Sequence, residues 1–196
     1  TTLSLRAEHY YYKQISLKEG LPSNVRCILT DEQGFIWIGT KAGLGKFDGH
    51  QLKRYKHQAN DPHSLLHNLI YQIAEDKQHN IWILTEKGIA RYQQQINNFT
   101  FPTDEEGNYI TAYSFCLVPD GILFGGKDRI YKYSYKDSSL RLLQYFNANS
   151  FKIPALSVWD SKTLLCCSRW TGLYLVDLQT GEHRRPPFDC GPEITS

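Results

Sequence analysis

The chain has 196 residues, enough for one large domain or two small ones. With 41% hydrophobic and 13% aromatic residues it can bury enough apolar surface to offset the entropy of ordering, which excludes a disordered chain, and its many Tyr and Phe side chains suit pleated sheets. The net charge of +2 comes from 22 basic and 20 acidic residues scattered along the chain, without the basic stripe a nucleic-acid binder needs, so no nucleic acid is expected as a partner of this segment.

From the start, Thr1 to Tyr10 lacks a basic region followed by an apolar one, so a signal peptide is expected to be absent or already removed. Nothing approaches 18 consecutive apolar residues, so no helical membrane span is expected within the segment. Val25 to Thr30 alternates β-branched and polar residues and predicts a strand. Asp31-Glu32-Gln33-Gly34 fits a type I turn, with Asp first and Gly fourth. Phe35 to Thr40 is apolar on both faces and predicts a strand buried on both sides. Lys41-Ala42-Gly43 predicts a short turn in which Gly43 takes positive φ. Leu44 to Asp48 is a third strand, Asp48-Gly49 a hairpin signal, and Gln51 to Tyr55 an outer strand. Asn60-Asp61-Pro62-His63-Ser64 then breaks the sheet.

The pattern recurs from Ile70 to Tyr92. Asp31 and Asp76, Trp37 and Trp82, Thr40 and Thr85, and Gly43 and Gly88 are each separated by 45 residues. A weaker copy holds Ile122 to Gly126 and Ile130 to Tyr133, and another holds Thr163 to Ser168 and Thr171 to Asp177; both lack the Trp and the Asp-x-x-Gly turn. A period of 40 to 45 residues with four short strands predicts an all-β fold of β-propeller blades, each a four-stranded antiparallel sheet. About four blades are expected, forming one region over 1–196, at 20–58, 64–102, 109–147 and 153–185. They make a partial propeller or the N-terminal part of a larger one, and Tyr10 to Ile15 is expected as an outer strand completing a last blade supplied later. Trp37 and Trp82 are expected to fill the space between adjacent blades, with Asp31, Asp76, Gly43 and Gly88 as structural positions.

Cysteines 27, 116, 166, 167 and 190 show no metal-binding spacing. Cys27, Cys116, Cys166 and Cys167 lie in apolar runs and read as small buried hydrophobes, while a disulfide involving Cys190 stays open. No GxSxG, HExxH or phosphate loop occurs, and Asp104-Glu105-Glu106 reads as a solvated acidic turn. No catalytic residue, metal or cofactor is therefore expected. In a blade, the turns between second and third strands open on the same rim as the inter-blade connections. The ligand-binding rim expected from this topology comprises Lys41, Glu86, Lys87, Lys127, Asp128, Arg129, Arg169 and Trp170. Trp170 can stack on a sugar face, and Arg169 can hold a carboxylate or sulfate.

The segments Gly20-Leu21-Pro22-Ser23-Asn24, Asp31 to Gly34, Trp37-Ile38-Gly39-Thr40, Gly43-Leu44 and Asp48-Gly49 resemble the two-component regulator propeller repeat, closely across 20–92 and faintly across 109–182. The resemblance implies the periplasmic sensor region of a Bacteroidetes hybrid histidine kinase that senses polysaccharide-derived oligosaccharides and signals to gene regulation. The membrane span and the kinase would lie downstream, and the segment itself would not be an enzyme. The alternatives are a propeller enzyme acting on glycans and a protein-interaction scaffold. An oligosaccharide ligand is the expected partner. Self-association is also expected, because a partial propeller exposes apolar blade faces.

Overall fold

In the computed structural model, residues 24–146, 152–168 and 171–187 are described. Their sixteen strands form four antiparallel four-stranded sheets, each a simple meander. The first sheet holds β1 (Val25–Thr30), β2 (Ile36–Thr40), β3 (Gly43–Phe47) and β4 (Leu52–Tyr55). The second holds β5 (Ile70–Glu75), β6 (Asn80–Thr85), β7 (Gly88–Gln93) and β8 (Asn98–Thr100). The third holds β9 (Ala112–Val118), β10 (Gly121–Gly126), β11 (Arg129–Ser134) and β12 (Leu140–Tyr145). The fourth holds β13 (Ala155–Val158), β14 (Thr163–Ser168), β15 (Gly172–Asp177) and β16 (His183–Arg184). The strands expected from Phe35 and Gln51 each begin one residue later, and the one expected from Leu44 begins one residue earlier.

The sheets stack face to face as propeller blades, with the first strand of each blade beside the first strand of the next. Each seam is an apolar cluster drawn from two neighbouring blades. Trp37 and Leu44 of blade 1 meet Ile81, Ile83, Tyr92 and Phe99 of blade 2. Trp82 and Leu84 of blade 2 meet Phe115, Ile122, Phe124 and Tyr133 of blade 3. Leu123 and Ile130 of blade 3 meet Leu164, Cys166 and Val176 of blade 4. Middle strands are thus enclosed on both sides, and β6 is buried along its whole length.

The two tryptophans occupy equivalent places. Trp37 Nε1 donates to Asp31 Oδ2 at 2.8 Å, and Trp82 Nε1 donates to Asp76 Oδ2 at 2.7 Å. Each aspartate is held by its own turn, where Oδ1 accepts the backbone N–H of Phe35 in blade 1 and of Asn80 in blade 2. The indole of Trp37 lies 5.0 Å from Tyr92 at 62°, and that of Trp82 lies 5.0 Å from Tyr133 at 61°. Both indoles are fully buried. Blade 3 replaces the set together. Its first turn shrinks to Pro119-Asp120, Leu123 stands at the Trp position, and Val176 of blade 4 stands where Tyr92 and Tyr133 stand in earlier blades.

The turn after the Trp strand is built by a threonine and a glycine. Thr40 Oγ1 donates to the Gly43 carbonyl at 2.7 Å, and Thr85 Oγ1 donates to that of Gly88 at 2.8 Å. Gly43 has φ +126, and a Cβ there would lie 2.6 Å from the Tyr55 carbonyl oxygen, so only glycine fits. These turns shape the rim.

Candidate functional site

Lys41, Glu86-Lys87 and Lys127-Asp128 lie at one end of the blades, in the turns β2–β3, β6–β7 and β10–β11, and Arg129 is the first residue of β11. The inter-blade segments arrive at the same end. Glu86 N donates to the Leu69 carbonyl at 3.1 Å, Ile153 N donates to that of Gly126 at 3.2 Å, and Lys127 pairs with Lys152 across an isolated β-bridge. His67, in the first of these segments, approaches Glu86 at 3.3 Å. Lys41, Glu86, Lys87, Lys127 and Arg129 are exposed, as a binding rim requires. Arg169, Trp170 and Cys190 lie outside the described residues.

The rim residues are not all brought together. A depression of about 340 Å³ gathers Lys127, Asp128 and Arg129 with Asp104, Tyr109, Ile110, Thr111 and Tyr131. Lys41, Glu86 and Lys87 do not line it. One wall is the β10–β11 turn, and the other is the segment between blades 2 and 3. That segment folds back on itself, with Thr103 bridging Tyr109 around a turn at Asp104–Gly107. Asp104 Oδ1 accepts the backbone N–H of Glu106 at 3.1 Å and of Asn108 at 2.8 Å. The turn is local carboxylate-to-backbone chemistry, of the kind that aspartate supplies in loops. Tyr109 stands 55% exposed, with its ring 5.7 Å from Phe101 in an edge contact.

In the facing wall, Asp128 takes φ +59, a conformation that aspartate tolerates better than most side chains. Its Oδ1 accepts from Arg129 Nε at 3.1 Å. Arg129 also lies over the Tyr145 ring at 5.6 Å, and hydrogen bonding to Tyr131, then to Asp128, raises its pKa above the ordinary value. Lys127 has no ion-pair partner among the described residues. Lys152, next to it across the bridge, lies over Tyr113 at 5.1 Å. The lining is therefore polar, with the carboxylates of Asp104 and Asp128, the Arg129 guanidinium, the Lys127 ammonium and aromatic surface. A second depression of about 180 Å³ lies at the outer edge of the same seam, where Arg91 is spent on Tyr133 and Thr100. Among the described residues, no group of three His, Cys, Asp or Glu side chains stands close enough to hold a metal ion.

Sequence reasoning missed Tyr109 and Thr111 and treated Asp104 as solvent-facing turn. The available signal was an aromatic residue after the single Gly107-Asn108 of an acidic linker, and only the fold-back of 103–109 turns it toward the rim.

Two segments, residues 19–42 and 64–87, match the two component regulator propeller family model. The chain is 38% identical over 66 residues to Histidine kinase P4 of Formosa agariphila, a match covering 32% of the chain and 5% of that protein. Among solved structures, the chain superposes on the extracellular domain of the hybrid two component system BT3049 from B. thetaiotaomicron. The TM-score is 0.76 at 20% identity, covering 92% of the chain and 27% of that domain. A second extracellular domain from the same organism, BT4673, gives a TM-score of 0.71 at 19% identity, covering 92% of the chain and 24% of that domain. The chain thus spans a small part of the kinase and about a quarter of each solved domain. At these identities the structural likeness establishes the propeller fold.

Proposed function

Since the chain carries two component regulator propeller repeats, we propose that it is a stretch of the periplasmic sensor region of a hybrid two-component histidine kinase. Its blades hold an oligosaccharide derived from a polysaccharide at their rim and pass occupancy toward a kinase outside this chain. The strongest support is the spatial equivalence of Trp37 and Trp82. The family pattern matches two segments, and their tryptophans are tied to equivalent aspartates, Asp31 and Asp76, and packed at the same distance on equivalent tyrosines, Tyr92 and Tyr133. The kinase relative and the extracellular domains agree with that reading. The rim supports it chemically, since a rigid scaffold presents exposed polar and aromatic side chains around a depression of the size small ligands use.

Calorimetric titration of the chain with a panel of oligosaccharides tests the proposal. Neutral members come from starch, xylan and mannan, and acidic ones from pectin, alginate and chondroitin sulfate. Mass spectrometry of the sugars after incubation completes the test. Binding of at least one member without turnover is expected. No binding by any member overturns the sensor reading, and turnover replaces it with a glycan-active enzyme.

A further inference from the structure

We infer that the depression between the 103–111 fold-back and the β10–β11 turn binds an acidic sugar, one carrying a carboxylate or a sulfate ester, rather than a neutral one. The inference rests on the oligosaccharide reading and names the ligand class and the place. Three features converge there. Tyr109 offers a ring that is 55% exposed, and its edge contact with Phe101 orients it as a platform. Asp104 spends Oδ1 on two turn amides, which leaves Oδ2 as an acceptor for sugar hydroxyls. Lys127, on the facing wall, presents an ammonium with no ion-pair partner among the described residues.

The placement of the charges selects the ligand. Asp128 is paired with Arg129, which leaves the Asp104 carboxylate on one wall as an acceptor for sugar hydroxyls and the Lys127 ammonium on the facing wall as a cation without an ion-pair partner among the described residues. Lys152 adds a second cation beside it, positioned over Tyr113. A neutral sugar would leave that ammonium facing only hydroxyls. An anionic group adds the attraction of opposite charges to the hydrogen bond that a hydroxyl would also accept from the ammonium. At about 340 Å³ the depression sits at the low end of small-molecule sites, suited to a short saccharide.

The test uses the same titrations, read by charge class and repeated with Lys127→Gln, Tyr109→Ala and, at the opposite end of the blades, Lys77→Gln. Fully methyl-esterified trigalacturonate serves as the neutral twin of trigalacturonate. Binding is expected for acidic members only, to weaken with added salt, and to fall by about tenfold or more in the Lys127 and Tyr109 variants but not in Lys77→Gln. Thermal melts separate loss of binding from loss of fold. Equal binding of the neutral twin overturns this inference and leaves the sensor reading standing. Acidic binding that neither rim variant weakens places the site elsewhere and also overturns it. Silence across the whole panel overturns both.

Discussion

The indole of Trp37 is tied to its own blade and lodged against the next. Its N–H ends on Asp31, while its ring meets Tyr92, and Gln94 of blade 2 also donates to Asp31 Oδ2 at 3.2 Å. Trp37→Ala should cost about 3–5 kcal/mol, because a large buried ring leaves a cavity that rigid sheets cannot close. Asp31→Ala should cost about 1–3 kcal/mol through the unpaired indole N–H. Urea unfolding should show the double variant losing less than the sum, since both changes remove one shared bond. The thiols are a second case. Burial pushes the pKa of Cys27 and Cys116 up to about 11 and that of Cys166 up to about 12, so thiolate is scarce at neutral pH. Alkylation at about pH 8, read by peptide mass spectrometry, should therefore be far slower for these three in the native chain than in the unfolded one. Prompt native labelling of Cys166 would contradict its burial. The tryptophans, their aspartates and Cys166 were legible because each sat in a repeat or an apolar run, whereas Cys27, Cys116 and Cys167, expected to be buried, are only half-buried. Tyr109 was not legible, because its neighbours in space come from a linker that carries no periodicity.

Among the elements, the turns separate what local chemistry decides from what packing decides. Asp31-Glu32-Gln33-Gly34 and Asp76-Lys77-Gln78-His79 are the same turn, yet Gly34 has φ +86 and His79 holds φ +60. The histidine tolerates a conformation that favours glycine, and its Nδ1 lies 3.1 Å from Glu75 of its own blade and 3.2 Å from Glu32 of blade 1. The hydrogen bond to Glu75, with the charges of Glu32, Glu75 and Asp76, raises the His79 pKa. A raised folded pKa means that the stabilisation is complete below the ordinary imidazole value and is lost as pH rises through the folded one. The melting temperature of the native chain relative to His79→Asn, which also accepts positive φ, should therefore decline between about pH 6 and pH 8. A difference that is flat across that window would show that the imidazole bridges nothing. Nothing in the sequence announced this contact, since Glu32 and His79 belong to different copies of the repeat. The same is true of Gln72, whose side-chain amide donates to the Phe115 carbonyl and accepts from the Phe115 N–H of blade 3.

Across the whole molecule, the first two blades were legible in detail and the later two in outline. Ile122 and Tyr133 each lie 41 residues after Ile81 and Tyr92, and both pairs are cross-strand partners. The missing Trp of blade 3 is explained by the seam. Leu123 needs no acceptor and Val176 needs less room than Tyr, so indole, aspartate turn and tyrosine are exchanged as a set. Sequence comparison sees only the loss; packing shows the compensation. Among the described sheets, blades 1 and 4 each pack against a single neighbour, and Ile28 on the outward side of blade 1 is 64% exposed. Apolar surface of this kind favours association, so light scattering should show a mass that grows with concentration, and a constant monomer mass at high concentration would refute it. A mechanical consequence follows from how the seams are made. Within a blade the strands are laced by backbone ladders, whereas side chains such as Trp37, Gln72 and Arg91 reach from one blade to the next. Stretched between its ends in an optical trap, the chain should yield in discrete rips, one blade at a time, each releasing about 150 Å of slack for a repeat of roughly 45 residues.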